Sequence, residues 1–131
     1  MKSIVELDAG DMQILRVLHT APGLKEEEAI IIKITGEINL YSSQHIKEFI
    51  ENLLKEGKNI FFIELSEVSY IDSSGLGVFL GIHSKIYKSG GGIHLCSPST
   101  KVNYVLELTK LRGLLNVFSS LEDAFEAVAK K

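Results

Sequence analysis

The chain has 131 residues, 45% hydrophobic and 24% charged, with a formal net charge of −3. That balance suits one globular domain with a real core and argues against a nucleic-acid backbone or an anionic membrane as partner. No stretch is apolar for long enough to span a bilayer, the N-terminus lacks a signal peptide's basic-then-apolar layout, and the one cysteine, Cys96, cannot form an intramolecular disulfide, so a reducing, cytoplasmic setting is expected.

Met1 to Asp11 carries scattered apolar residues and a Gly10-Asp11 turn signal, which reads as a loose arm (residues 1–10) or a short edge strand. Met12 to Leu18 is β-prone and reads as a first strand, broken by Ala21-Pro22-Gly23. Lys25-Glu26-Glu27-Glu28 is a solvated charged turn. Ala29 to Thr35 is β-branched and apolar, and returning antiparallel it would complete a hairpin that Gly36 ends.

Tyr41-Ser42-Ser43 offers caps to a helix reaching about Glu56. Ile46, Phe49, Ile50, Leu53 and Leu54 form its buried stripe, and Gly57 is a fitting C-cap. Asn59 to Leu65 is nearly continuous in apolar residues, as a strand covered on both faces should be. A further helix begins near Leu76, with Phe79, Leu80, Ile82, His83, Ile86 and Tyr87 at helical spacing, and stops at Ser89-Gly90-Gly91-Gly92. Ile93 to Cys96 is the next strand, and Ser99-Thr100 caps another helix. Leu114 to Phe118 holds a last short strand. Ser120 with Glu122-Asp123 opens a final helix, and Lys130-Lys131 suits its C-terminal end. The pattern predicts a single α/β domain over 1–131: a mixed sheet of about five strands, an N-terminal antiparallel hairpin followed by β-α repeats, flanked by about four helices.

The stretch Tyr70-Ile71-Asp72-Ser73-Ser74-Gly75-Leu76-Gly77 joins the strand ending near Leu65 to the helix after it. Asp and Ser accept from free backbone N–H groups at helix starts, and glycines let a first turn approach another surface closely. Two hydroxyls would thus stand at the positive end of a helix, at the carboxyl end of a strand, where open α/β sheets place binding surfaces. Capping alone is the plain reading of these serines. A hydroxyl read or modified by a partner is the other, and the residue types leave both open.

Catalysis fits poorly. A nucleophilic serine needs a positioned base, usually His, yet His19, His45, His83 and His94 are scattered singly. His83 lies more than two helical turns beyond Ser73, out of hydrogen-bond reach within one helix. Metal-ligand spacing is missing, and Gly90-Gly91-Gly92 lacks the Gly-Lys-Ser/Thr of a phosphate loop. Mid-strand Cys96 reads as a small hydrophobe. No enzyme, cofactor or metal is expected, although a helix N-terminus can accept a nucleotide phosphate.

Ile71-Asp72-Ser73-Ser74-Gly75-Leu76-Gly77 resembles the signature of the anti-sigma factor antagonists, bacterial single-domain members of the STAS family. Gly36-Glu37-Ile38-Asn39 is similar to the family's Gly-Glu-Leu-Asp step, Gly90-Gly91-Gly92-Ile93 to its glycine turn, and Leu111-Arg112-Gly113-Leu114 to its Leu-x-Gly-Leu segment. The resemblance runs from about Ile30 to the C-terminus. It implies that Ser73 is phosphorylated by an anti-sigma factor serine kinase and that the domain binds this kinase only when unphosphorylated, freeing a sigma factor. Ser74 then looks like a cap or first-turn residue. Gly36, Glu37, Ile38, Asn39, Tyr70, Asp72, Ser73, Ser74, Gly75 and Leu76 become the expected partner surface. Ordinary packing is an equal reading for Tyr70 and Leu76. Asn39 departs from the family's aspartate and loses its charge. The implied protein is a monomer or weak homodimer that touches neither DNA nor membrane. The alternatives are a STAS subunit of a transporter or stress-signalling complex, or a nucleotide-binding module.

Overall fold

The structure, a computed structural model, describes residues 2–8, 13–20 and 29–129. Its elements are β1 (Lys2–Asp8), β2 (Gln13–Thr20), β3 (Ala29–Ile38), α1 (Leu40–Lys55), β4 (Ile60–Ile71), α2 (Ser73–Ile86), β5 (Gly92–Cys96), α3 (Thr100–Thr109), β6 (Asn116–Phe118) and α4 (Leu121–Ala129). Among the described residues the strands form one sheet in the order β2-β1-β3-β4-β5-β6.

The expected sheet of about five strands, opened by a hairpin between 12–18 and 29–35, is overturned. Strands β3 to β6 run all parallel, accompanied by four helices. The strand beside β3 is β1, also parallel, in the register Ser3↔Ile30 to Asp8↔Thr35. Residues 2–8, read as a loose arm or an edge strand, lie between β2 and β3, and the antiparallel pairing is between β1 and β2. Connection length explains the correction. Asp8 pairs directly with Gln13, and so short a link permits only an antiparallel neighbour. β3 lies on the far side of β1 from β2. The run Ala29 to Ile32 carried the same information: four consecutive apolar residues belong in a sheet interior, not in a terminal hairpin. The expected breaker 21–23, the charged turn 25–28 and the terminal lysines 130–131 lie outside the described residues.

Two apolar layers flank the sheet. On one face Ile30, Ile32, Ile34 and Ile38 of β3 and Phe61, Ile63, Leu65, Val68 and Ile71 of β4 meet α1, α2 and α3. The helices contribute Ile46 and Ile50, then Leu76, Phe79, Ile82 and Ile86, then Val102 and Leu106. On the other face Ala29, Ile31, Phe62 and Cys96 pack with Ala124 of α4. The β3–β4 register shifts between Lys33 and Thr35 and again between Gly36 and Glu37. These irregularities keep the inner face apolar although its spacing along β4 changes from two residues to three.

His94 is buried, its Nδ1 3.2 Å from the Phe61 carbonyl oxygen, and its ring stacks with Phe62 and Phe118. Cys96 is wholly buried, and burial, with Glu64 nearby, pushes its thiol up from 9.0 to about 12. The folded chain therefore holds the thiol proton over a pH range in which the unfolded chain has released it. This contribution to stability is complete below about pH 9 and is lost as pH rises through 12. A thiol reagent such as iodoacetamide at pH 8 should leave the native protein unmodified and label it on unfolding, as intact mass will show. In Cys96→Ala the fall in denaturation midpoint between pH 9 and 12 should shrink.

Candidate functional site

Where β3 and β4 end together, two helices begin side by side. Ile38 pairs with Ile71, and the Asp72 N–H donates to the Ile38 carbonyl at 3.2 Å. The next residue on each strand is a helix cap: Asn39 for α1 and Asp72 for α2. Parallel strands followed by crossover helices put both helix N-termini on one edge of the sheet.

The Asp72 backbone is extended, and its Oδ1 accepts from the N–H groups of Ser74 at 3.0 Å and Gly75 at 3.1 Å. The Ser74 hydroxyl donates to the same oxygen. The Asp72 carbonyl accepts from the Leu76 N–H at 3.2 Å. Asp72 therefore supplies the cap that the sequence could have assigned to any of three residues, and Ser74 is tied to it. Ser73 is exposed, and no side-chain hydrogen bond holds its hydroxyl among the described residues.

Gly75 lies where the turn presses on the sheet. A Cβ there would sit 2.6 Å from Ile38 Cγ2 and 2.9 Å from Ile71 Cγ1, closer than any side chain tolerates. At Gly77 and Gly81 a Cβ would meet nothing within 4 Å. One glycine is thus required for a close approach, and the other two open the outer face of α2.

Asn39 caps α1 through a reciprocal box. Its Oδ1 accepts from the Ser42 N–H at 3.0 Å, and its own N–H donates to the Ser42 hydroxyl at 2.9 Å. Ser42 Oγ also donates to the Glu37 carbonyl at 3.0 Å. The expected cap region Tyr41-Ser42-Ser43 is therefore already inside the helix, and buried Ser42 is the N3 partner.

Of the expected surface residues, Glu37, Tyr70 and Ser73 are exposed, while Gly36, Asn39, Asp72 and Ser74 are half-buried. Ile38, Gly75 and Leu76 are buried and shape the surface from beneath. Gly36 has φ +94°, a conformation that favours glycine. Sequence reasoning missed Leu40 and Tyr41 as surface residues, each 67% exposed on the first turn of α1, with Tyr70 46% exposed at the end of β4. The signal was present: two large apolar residues directly follow the cap Asn39, outside the stripe that starts at Ile46. This end of the strands thus presents the Ser73 hydroxyl together with three large exposed side chains, Leu40, Tyr41 and Tyr70.

His83 and His94 line a cavity of about 460 Å³ at the opposite end of the strands, together with Ile60, Gly91 and Asn116. His83 Nδ1 accepts from the Ile93 N–H at 3.0 Å. Neither imidazole is placed to take a proton from Ser73. Among the described residues no group of three His, Cys, Asp or Glu could hold a metal ion, and no helix is long and apolar enough to cross a membrane.

The STAS domain family profile matches residues 21–124. The chain belongs to the STAS domain family. The anti-sigma-B factor antagonist of Bacillus subtilis is 33% identical over 98 residues, covering 75% of this chain and 89% of the relative. The crystal structure of a Thermotoga maritima protein assigned to the anti-sigma factor antagonists superimposes with a TM-score of 0.71 at 35% identity, covering 76% and 86% of the two chains. The anti-sigma factor antagonist SpoIIAA shares the fold in its unphosphorylated form, with a TM-score of 0.68 at 22% identity over 82% of this chain and 94% of that one. Its phosphorylated form does so with a TM-score of 0.60 at 23% identity, over 80% and 95%.

Substitutions at the three α2 glycines should separate close packing from helix propensity. Gly75→Ala should destabilise the domain by about 1–3 kcal/mol through overpacking. Gly77→Ala and Gly81→Ala, with open space around them, should each stabilise it by roughly 0.5–1 kcal/mol. Urea denaturation followed by circular dichroism measures all three.

Proposed function

We propose that this STAS domain is an anti-sigma factor antagonist that works by exchanging partners. Unphosphorylated, it docks the edge around Ser73 on an anti-sigma factor serine kinase and frees the sigma factor. Phosphorylated on Ser73, it lets the kinase go. The observation that carries the reading is the unencumbered Ser73 hydroxyl at the mouth of α2, set among exposed Leu40, Tyr41 and Tyr70. Support comes from the B. subtilis relative, named an antagonist of an anti-sigma-B factor, and from a fold neighbour known with and without phosphate.

In the transfer step, Ser73 Oγ forms a bond to the γ-phosphorus of ATP. The bond from that phosphorus to the bridging oxygen breaks, ADP leaves, and the hydroxyl proton passes to a base on the kinase. Nothing in the domain itself has to be a base, in keeping with His83 and His94 lying at the opposite end of the strands. The phosphate brings a charge of about −1.5 to −2. Beside Asp72, and over an apolar patch that must lose its water on docking, that charge opposes binding. A coupling of about 3 kcal/mol would weaken the complex more than a hundredfold.

The apolar border should supply most of the docking energy. Leu40→Ala and Tyr41→Ala should each weaken kinase binding about tenfold or more while leaving the melting temperature within a degree or two, because neither side chain is part of the core. The decisive assay incubates the domain with ATP and the kinase recovered with it from native cells, then maps the phosphosite. Phosphate on Ser73, and none taken up by Ser73→Ala, is the expected result. Stoichiometric phosphorylation of Ser73→Ala would overturn the assignment.

A further inference from the structure

We propose that Asp72 and Ser74 form a clasp that fills the mouth of α2, so that a phosphoryl group on Ser73 is kept out on the docking surface instead of folding into the helix N-terminus. This rests on Ser73 being the modified residue, and it addresses what the modification does there. A helix start usually offers its first N–H groups to an anion. Here the second and third of those groups are already taken. The amides of Ser74 and Gly75 both donate to Asp72 Oδ1, and that of Leu76 donates to the Asp72 carbonyl.

The inner side of the turn is closed as well. Gly75 is buried so tightly that even a methyl group would collide with Ile38 and Ile71, so a phosphate cannot enter between helix and sheet. The Ser74 hydroxyl completes the clasp by donating to the same carboxylate oxygen. Ser74 is then a positioning residue. It holds the Asp72 carboxylate across the amides, where it excludes the phosphate and repels it by like charge. The modified turn keeps its shape, and the mark stays where a docking protein meets it. The same clasp separates two adjacent serines chemically: one hydroxyl is occupied, the other is presented.

The test places phosphoserine at position 73 by genetic code expansion, with no kinase involved. Phosphorus-31 NMR then follows the phosphate through its second ionisation, while proton–nitrogen spectra follow the Ser74 and Gly75 amides. The neighbouring carboxylate should raise the titration midpoint by roughly half a pH unit over that of an unfolded peptide of the same sequence. The shift should vanish in Asp72→Asn, and in the parent the two amide resonances should stay fixed throughout. In Ser74→Ala the loosened carboxylate should yield, and the amides should begin to move with the phosphate. Ser74→Thr, which keeps the hydroxyl, should restore the parent behaviour.

A parent midpoint at or below the peptide value, with Ser74 and Gly75 amides moving in step with phosphate ionisation, would place the phosphate in the helix mouth and overturn the proposal. Unchanged amides in Ser74→Ala would remove Ser74 from the clasp and overturn its positioning role. Because the phosphoserine is incorporated during translation and no kinase takes part, either failure leaves partner switching standing. Conversely, a kinase that ignores Ser73 would fail that reading without altering these spectra.

Discussion

The carboxylate of Asp72 is the joint on which the site depends. Its backbone N–H fastens the end of β4 to β3, and its side chain fastens the start of α2 to the strand that precedes it. As a cap it is worth only about 1 kcal/mol, well below the combined burial of Phe79, Ile82 and the isoleucines around them. The core therefore holds the helix on the sheet, and Asp72 sets where its first turn points. Removing the cap would cost modest stability, but it would free the orientation of the exposed Ser73 hydroxyl.

The sheet explains why this edge carries so much of the exposed chemistry. Parallel strands β3 and β4 end level with each other, so the caps Asn39 and Asp72 are neighbours, as are the first turns they start. One helix is capped by a neutral amide locked to Ser42, the other by a carboxylate locked to Ser74. The first contributes apolar surface in Leu40 and Tyr41, and the second contributes the hydroxyl. The far end of the strands holds histidines engaged with backbone groups and aromatic rings, a structural use of imidazole.

The sequence revealed most where the physics is local. The strand–turn–helix around Ser73 follows from cap chemistry and apolar spacing within about 20 residues, and the stripes Ile46–Ile50 and Phe79–Ile82–Ile86 follow from the same spacing. Strand partnership is not local. Residues 12–18 looked like the partner of 29–35 because they come just before it, yet Lys2–Asp8, with a weaker apolar signal, takes that place. The α1 cap was misplaced for a related reason: Asn39 and the serines after it are all good caps, and only the return bond from Ser42 decides among them. Side-chain exposure was the hardest to read. Ile38 and Leu76 belong to the site motif and are buried beneath it, whereas Leu40 and Tyr41 look like core residues and face outward.

A single ester at the mouth of α2 should decide binding. Isothermal titration calorimetry of the purified anti-sigma factor kinase against two forms of this domain, unmodified and phosphoserine at 73, measures that directly. A dissociation constant more than a hundredfold weaker for the phosphorylated form, with both forms equally folded, is the expected result. Equal affinity for the two forms would contradict it.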